Sequence, residues 1–313
     1  MRRNVLQRID RTGAAHLQEA DQRQRRQHNR IPQPGFLQMK SDDPERLECV
    51  ACDQQFPIQN GAPIFTTPPT GLVPSDKIVR GPEVGTPWRR ANWRFLAGQI
   101  AQLPPDALIL DVGAGRGDFA AAFEGRNCLA LDIYPYPEVD IVCDLTQTNP
   151  FKAGSFDAVV LMNVIEHVFE TKALLAEVSK ILKTDGVVVA AIPFMVKIHQ
   201  APVDFVRYTH FALGRLGEEH GLQLVFIEGY YDPLFFLEEG LGNLRNAILP
   251  TTQGARRQIA RTLLGGIQIM SNWLQPILGP GRTIAPTKTS SMAPTGYHIV
   301  YKKVVSGLTE NLL

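Results

Sequence analysis

The sequence predicts a doubly wound α/β fold with a mostly parallel sheet, and three observations support this prediction. Apolar segments of strand length alternate with segments of helical periodicity between residues 107 and 193. The strand segments are almost continuously apolar, as strands buried on both faces of a parallel sheet are. The first of them, "LILDV", runs directly into a loop that contains Gly113, Gly115 and Gly117. A strand followed by a glycine-rich turn is typical of the ligand-binding edge of such sheets.

The composition limits the classes of protein that fit. The 313 residues are 44% hydrophobic, which is enough for one large domain or two smaller ones. The net charge is only +1, so we expect no DNA partner. Four cysteines in a chain of this length do not resemble a secreted disulfide framework. The first residues lack an apolar core of signal-peptide length, and no run of about 18 apolar residues occurs. These features predict a cytoplasmic location.

The N-terminal part divides into three segments. Residues 1–46 form an Arg- and Gln-rich arm, which is either solvated or in contact with nucleic acid or an acidic membrane. Residues 47–68 form a ribbon-like hairpin, in which Cys49 and Cys52 precede an Asn-Gly turn signal. Tetrahedral zinc needs four ligands and only this one pair is local, so we predict no metal, with zinc as the alternative. Residues 69–88 are a Pro- and Gly-punctuated linker.

The main domain is predicted over 89–230 and 294–305. It begins with an amphipathic helix that carries Trp93, Leu96, Ile100 and Leu103 at helical spacing. The predicted strands and helices then follow in the order "ALILDV", "GDFAAAFEG" (helix), "CLALDI", "VDIVCDL", "FDAVVLMNVI", "TKALLAEVSKILK" (helix) and "VVVAAIPF". Two further strands, "LQLVFIEGYY" and "GYHIVYKK", are expected to pair as an antiparallel edge around a long insertion.

The insertion, residues 231–293, is predicted to be helical. Its helices are apolar on one side and bear arginines on the other, namely Arg245, Arg256, Arg257 and Arg261. One interpretation is a lid or a homodimer surface. The alternative is an in-plane membrane contact through residues 234–279, since basic amphipathic helices with Trp and Leu suit that interface.

The glycine-rich loop discriminates between classes of ligand. A phosphate-binding P-loop requires a lysine, and this loop has none. A dinucleotide fingerprint requires Gly or Ala where Asp118 stands, and an acid at a helix start repels pyrophosphate. The loop follows Asp111 and suits a ligand with positive charge and no phosphate, as S-adenosylmethionine is. Asp132 lies 19 residues after Gly113, where an acid can accept ribose hydroxyls, although that position also suits NAD.

Several motifs in order resemble the type 11 branch of the class I S-adenosylmethionine-dependent methyltransferases. These are "LDVGAGRG", "LDI", "CDLTQTNPFKAGSFDAVVLMNVIEHV" and "LLAEVSKILKTDGVVVAAIPF". The resemblance covers about residues 107–230 and implies a Rossmann-like sheet with S-adenosylmethionine as cofactor. The hairpin at 47–68 is similar to half of a zinc-ribbon-like module that precedes some bacterial methyltransferases. The chain departs from the family at Thr184-Asp185-Gly186, where Pro-Gly-Gly is usual, and this affects only a turn.

The resemblance implies a role for each residue of the cofactor site. Asp111 and the loop would hold the methionine end, Asp132 the ribose, and Asp144 the adenine edge. Each acid also has an alternative role. Asp111 would serve only the geometry of the loop, Asp132 would cap the next element, and Asp144 would be a simple turn residue. The complete set of expected cofactor-binding residues is Asp111, Gly113, Ala114, Gly115, Gly117, Asp132, Ile133, Asp144, Leu145 and Asn163.

Catalysis of methyl transfer requires placement of the acceptor, and a base when the acceptor carries a proton. The expected catalytic residues are His167, which follows the fourth strand, and His199 with Asp204 after the fifth. Arg207 and Tyr208 are expected to contact the substrate. The alternatives are a structural role for His167 and an Asp204–Arg207 ion pair that braces the loop.

The sequence therefore predicts transfer of a methyl group to oxygen, with carbon as the less favoured acceptor. The stretch "HQAPVDFVRYTHFAL" resembles one in bacterial methyltransferases that accompany surface-glycan and lipid-linked sugar biosynthesis. The expected acceptor is a small molecule, a glycan or a lipid-type intermediate, in the cytoplasm or at the inner membrane face. Alternatives are an RNA methyltransferase that uses the basic arm, a cofactor-binding scaffold, and a nicotinamide-dependent oxidoreductase.

Overall fold

The fold is described by a computed structural model that covers residues 39–43, 45–50, 53–69, 81–278, 282–285 and 293–304. Most of the predicted arm and linker, together with Cys52, lie outside these residues. A small antiparallel sheet precedes the main one and has four strands in chain order. They are β1 Met39–Asp43, β2 Arg46–Cys49, β3 Gln55–Gln59 and β4 Ala62–Pro63. The predicted Asn60-Gly61 turn joins β3 to β4, with both residues at positive φ.

The main sheet has eight strands. They are β5 Leu108–Val112, β6 Asn127–Asp132, β7 Ile141–Val142, β8 Phe156–Met162, β9 Leu182–Pro193, β10 Leu222–Tyr231, β11 Arg282–Ile284 and β12 Gly296–Lys303. Their spatial order is β11-β10-β12-β9-β8-β5-β6-β7. The pairs from β9 through β7 are parallel, and those of β10, β11 and β12 are antiparallel. The predicted fold class is confirmed.

The direction of strand order changes at β5. The chain runs outward from β5 through β6 to β7, and then returns to place β8 on the other side of β5. Ligands bind at the carboxyl ends of strands beside such a switch point. The glycine-rich loop that follows Val112 therefore occupies the expected ligand-binding position.

The antiparallel edge is larger than the sequence indicates. As predicted, β10 and β12 pair as antiparallel neighbours around the insertion, from Leu222 opposite Lys303 to Tyr230 opposite Gly296. A third antiparallel strand, Arg282–Ile284, comes from inside the insertion and lies at the outer edge. Its three residues carry no periodicity that could have predicted it.

Two predicted elements of the parallel half were wrong in extent. The expected helix "GDFAAAFEG" is a single 3₁₀ turn, Ala120–Phe123. Gly117 and Gly125 both adopt positive φ, and the short segment between them cannot hold a stable α-helix despite its alanines. The expected strand "VDIVCDL" is reduced to Ile141–Val142, because it lies at the sheet edge and pairs with β6 alone among the sheet's strands.

The N-terminal hairpin covers this edge. The amide of Phe65 donates to the carbonyl of Val142 at 2.8 Å, and Ile64 forms an isolated parallel bridge with the same residue. The hydroxyl of Thr66 accepts from the amide of Asp144 at 2.8 Å. An uncovered edge would expose unpaired backbone groups, so the hairpin protects the strand next to the predicted adenine site.

Five α-helices lie in the part of the chain that the structure describes. They are α1 Pro87–Ile100, α2 Thr171–Ile181, α3 His210–Glu218, α4 Pro233–Thr251 and α5 Gly254–Leu278. The predicted apolar face of α2 is buried at Leu174, Leu175, Val178 and Ile181, whereas Leu182 already begins β9. In α1, Leu96 and Ile100 are buried, and Leu103 lies beyond the helix end. Trp93, also expected on this face, is only partly buried. The helical periodicity thus predicted the buried face of α2 and most of that of α1.

The insertion contains α4 and α5, which pack against each other. The carboxylate of Asp232 caps α4 by accepting from the amides of Leu234 and Phe235, both at 3.2 Å. Among the described residues, no helix combines the length and the apolar character that crossing a membrane requires.

Candidate functional site

The glycine-rich loop has the backbone conformation that requires glycine. Gly113, Gly115 and Gly117 have φ values of +72°, +53° and +75°, which residues with a side chain rarely adopt. A Cβ on Gly113 would lie 2.5 Å from Cγ2 of Val164, the residue that follows Asn163 after β8. The loop therefore approaches the end of the neighbouring strand more closely than any side chain would allow.

Asp132 ties the loop to the end of β6. Its Oδ2 accepts from the amide of Gly115 at 2.9 Å, and its Oδ1 accepts from the amide of Tyr134 at 3.0 Å. Burial raises the pKa of the Asp132 carboxyl, and these backbone donors oppose that rise. The Asp132 carboxylate thus lies between the turn after β6 and the loop that would hold a ligand, and ribose binding by Asp132 stays a prediction.

Asp111 lies at the end of β5 and is buried. Burial raises its pKa to about 8, and the neighbouring Asp132 adds to the rise. Two buried acids side by side cannot both ionise easily without a cation between or beside them. The site is therefore suited to a ligand that brings positive charge.

Arg89 of α1 clamps the far side of the loop, a contact that the sequence analysis missed. Its guanidinium donates to the carbonyl of Asp118 at 2.5 Å and lies 5.3 Å from the centre of the Phe119 ring. It also donates to the carbonyls of Gly81 and Val84, at 2.8 and 2.9 Å. Nothing in the spacing of α1 distinguishes this arginine from its neighbours.

The predicted adenine edge has a mixed outcome. The Asp144 carboxylate accepts from the Thr146 amide at 2.9 Å, from the Thr146 hydroxyl at 2.6 Å and from Gln147 at 2.6 Å. This is the turn role given above as the alternative, so adenine recognition by Asp144 stays a prediction. Leu145 is buried and Ile133 is partly exposed beside the loop.

Asn163 belongs to a buried polar chain that the sequence did not indicate. It has φ +55°, and its side chain accepts from Asn92 of α1 at 3.4 Å. Asn92 also lies 2.9 Å from Nε2 of His298, whose Nδ1 is 3.3 Å from Glu228. The His298 ring is stacked between Trp88 and Phe95. Burial lowers the pKa of His298, whereas the neighbouring Glu228 opposes that change. The chain links α1 to β10 and β12 and holds Asn163 at the end of β8.

A second cluster surrounds the turn Ile165–His167, directly after β8. The Nδ1 of His167 is 2.6 Å from the carbonyl of Val203 and must donate to it. Its Nε2 lies 3.6 Å from Oε1 of Glu166. The rings of His167 and His199 meet edge to face, with centroids 4.9 Å apart. Burial lowers the pKa of His167, which favours the neutral imidazole.

Asp204 and Arg207 form the ion pair given above as the alternative. Arg207 donates from Nη1 to Oδ1 at 2.5 Å and from Nη2 to Oδ2 at 2.9 Å, and it also donates to the carbonyl of Val196 at 3.2 Å. Asp204 accepts from the backbone amide of His199 at 2.9 Å and contacts its Nδ1 at 3.1 Å. The Arg207 hydrogen bond holds the pKa of Asp204 well below its usual range. Such a carboxylate is a poor proton acceptor.

The structure thus brings His167, His199, Asp204 and Arg207 together. The Tyr208 hydroxyl is directed elsewhere, because it donates to the hydroxyl of Thr171 in α2 at 3.1 Å. Glu166 was not among the expected site residues, yet its side chain is fully buried in the cluster. Burial raises its pKa to about 8. Its position next to His167 was the one feature of the sequence that could have indicated Glu166 as a site residue. The burial of its carboxylate could not be inferred from the sequence.

Comparisons with known proteins agree with this geometry over part of the chain. Residues 110–190 match the family described as a methyltransferase domain. That range begins within β5, includes the glycine-rich loop and the Glu166–His167 turn, and ends within β9.

Two curated relatives match over shorter stretches. The chain is 35% identical over 94 residues to an uncharacterized protein of Methanocaldococcus jannaschii, covering 28% of this chain and 41% of that protein. It is 30% identical over 111 residues to the demethylmenaquinone methyltransferase of Renibacterium salmoninarum, covering 32% and 47%. The chain thus spans less than half the length of these relatives. Among solved structures, a SAM-dependent methyltransferase from Archaeoglobus fulgidus is 17% identical with a TM-score of 0.43, covering 69% and 94%.

Proposed function

We propose that this chain is an S-adenosylmethionine-dependent methyltransferase that methylates an oxygen, or less readily a carbon, of a small molecule, a glycan or a lipid-linked intermediate. The observation that carries this proposal is the loop of three positive-φ glycines between the buried acids Asp111 and Asp132. The match of residues 110–190 to a methyltransferase domain supports it. The cofactor would supply a methyl group on a sulfonium, which leaves as a neutral thioether.

The residues present fit this cofactor. Asp111 and the loop backbone would hold the cationic amino-acid end, and Asp132 would accept hydrogen bonds from the ribose hydroxyls. Ile133 and Leu145 would contact the adenine, while Asn163 would border the reacting methyl group. Asp118 argues against a nucleotide with a pyrophosphate group. This acid directly follows the loop, where a phosphate would have to lie.

His167 and His199 are the candidate proton acceptors. Each has its Nδ1 next to an oxygen acceptor, the carbonyl of Val203 for His167 and the carboxylate of Asp204 for His199. In the neutral tautomer this leaves Nε2 with its lone pair, able to take the proton of an acceptor hydroxyl. Asp204 is therefore a positioning residue for His199, and Arg207 holds Asp204 in place.

Calorimetric titration of the full chain tests the proposed function. We expect S-adenosylmethionine and S-adenosylhomocysteine to bind, and NAD to show no heat of binding. The neutral Asp111 should ionise beside the ligand's ammonium group, so binding near pH 7 should release up to about one proton. The enthalpy should then vary with the ionisation enthalpy of the buffer, and this variation should be smaller in Asp111→Asn.

The outcomes separate the alternatives clearly. Binding of NAD in preference to the sulfur nucleosides would contradict the proposal. Equal buffer dependence in wild type and Asp111→Asn would show that Asp111 does not face the ammonium group.

We also propose that one face of α5 contacts an anionic membrane surface. Ile259, Leu263, Met270, Trp273 and Ile277 are each more than half exposed and lie within about 80° of one another around the helix. The helix contains three arginines and no Asp or Glu, so its charge suits anionic lipid headgroups. Such a contact would bring the site to a lipid-linked acceptor.

Vesicle co-sedimentation tests this contact. We expect the protein to bind vesicles that contain phosphatidylglycerol more strongly than neutral ones, because Trp273 and Ile277, at 77% and 78% exposure, would insert between headgroups. Trp273→Ser with Ile277→Ser should reduce binding at least about tenfold. Phe211→Ser, 72% exposed on α3, is the matched control and should bind as the wild type does. Unchanged binding of the double variant would contradict the proposal. A dimer that the double variant abolishes would instead identify α5 as a subunit interface.

A further inference from the structure

The cluster after β8 has the geometry of a cation site. Glu166, His167 and His199 each offer one ligand atom, and these three atoms lie within 4.8 Å of one another. Ligands of a tetrahedral zinc ion stand about 3.3 Å apart. The 3.6 Å between Glu166 and His167 is close to this value, so a small movement of the His199 loop would complete the set.

Both histidines are held as metal ligands usually are. Metal-bound imidazoles commonly donate their other N–H to a carbonyl or a carboxylate, which fixes the ring and its tautomer. His167 donates from Nδ1 to the carbonyl of Val203, and His199 has its Nδ1 3.1 Å from the carboxylate of Asp204. Asp204 is itself fixed by Arg207 at 2.9 Å. With Nδ1 of each ring next to an oxygen, Nε2 is the nitrogen that each histidine would offer to an ion.

Glu166 provides an independent observation. Its side chain has no solvent exposure, and neither carboxylate oxygen has a hydrogen-bond partner among the described residues. The buried Nε2 of His167 likewise has none within the described part of the chain. A buried polar group without a partner costs free energy, and three such atoms beside one another indicate a missing ligand.

We propose that Glu166, His167 and His199 bind a first-row divalent transition cation of the zinc type. Two imidazoles and one carboxylate are donors that such ions accept, and three protein ligands leave at least one position open. Val164, which directly precedes the turn that carries Glu166 and His167, borders Gly113 of the loop. The cation would therefore stand beside the place where an acceptor must meet the methyl group.

The role of the cation rests on the proposed function, although its binding does not. An acceptor hydroxyl in the open position has a lowered pKa and loses its proton to solvent water, because both Nε2 lone pairs are committed to the cation. The acceptor oxygen then forms a bond to the methyl carbon as the carbon–sulfur bond breaks. The cation would thus replace an imidazole as the means of ionising the hydroxyl.

Titration of the full chain, stripped with a chelator, tests the site without any activity assay. We expect one equivalent of Co²⁺ to give the visible bands of a low-coordinate site, and Zn²⁺ to displace it. Glu166→Gln should weaken Co²⁺ binding at least about 100-fold, and Asp204→Asn about 10- to 100-fold through the orientation of His199. Cys52→Ser is the matched control, because it removes one cysteine of the Cys-x-x-Cys pair, the other candidate metal ligands. It should leave the affinity for Co²⁺ unchanged.

Binding of S-adenosylhomocysteine to each variant shows whether the fold is intact. If Glu166→Gln fails to fold, His199→Gln on the partly exposed loop decides, with the same 100-fold loss expected. Absence of Co²⁺ binding, or equal binding by these variants, overturns the cation site even when the nucleoside binds. Loss of binding in Cys52→Ser alone would place the ion at the hairpin and also overturn it. Cation binding without nucleoside binding would instead contradict the methyltransferase proposal.

Discussion

Asp132→Ala is expected to weaken the binding of S-adenosylhomocysteine at least about 100-fold. Two losses act together in this variant. The ribose hydroxyls lose a charged acceptor, and hydrogen bonds to charged groups contribute about 1.5–3 kcal/mol each. The amides of Gly115 and Tyr134 also lose the carboxylate that holds them, so the loop loses its anchor to β6. Calorimetry of the pure variant measures the change directly.

Asp140→Ala is the control for this variant. Asp140 also accepts from an amide of β6, that of Ala130 at 2.9 Å, which lies two residues before Asp132 and outside the glycine-rich loop. We expect Asp140→Ala to lower the free energy of unfolding while leaving nucleoside affinity within about threefold of wild type. Similar nucleoside affinities for Asp132→Ala and wild type would remove Asp132 from the cofactor site.

Gly113→Ala is expected to lower the free energy of unfolding by about 3 kcal/mol or more. A residue with a side chain at φ +72° is strained, and its Cβ would overlap Cγ2 of Val164 at 2.5 Å. Gly115→Ala is the matched variant, because it has φ +53° but no atom within 4 Å of its Cβ position. It should cost only the backbone strain, about 1 kcal/mol. Urea denaturation of both variants measures the difference.

A double variant isolates the contact with Val164. Val164→Ala removes the Cγ2 that the new Cβ would meet, so Gly113→Ala should cost less in that background than in wild type. The part that remains is the strain of the positive φ. Equal costs for Gly113→Ala and Gly115→Ala would mean that the loop does not approach the end of β8 as described.

The parallel half of the fold was predictable because its signals are local. Nearly continuous apolar runs such as Phe156–Met162 identify strands buried on both faces, and the spacing of Leu174 and Val178 identifies a helix face. The same local reasoning failed where tertiary contacts decide. The alanines after Gly117 favour a helix, but the loop geometry leaves them one 3₁₀ turn.

The residues of the candidate site also fall into those that local sequence predicts and those that tertiary contacts decide. The glycines were predictable because only a special backbone explains three of them in five positions, and all three do adopt positive φ. The burial of Glu166 and the contact of its neighbour His167 with Val203 depend on a loop more than 30 residues away. The chain from Asn92 to His298 joins residues 206 positions apart. No pattern within a sequence window indicates such pairs.

The sequence by itself predicted the order of the parallel strands, the position of the glycine-rich loop and a preference for a cationic ligand. These follow from periodicity, from backbone freedom at glycine and from the sign of charge, all of which act over a few residues. Only the tertiary structure decided which polar groups lose their contact with water. Burial depends on what the rest of the chain places around a side chain, and it is burial that raises the pKa values of Asp111, Asp132 and Glu166.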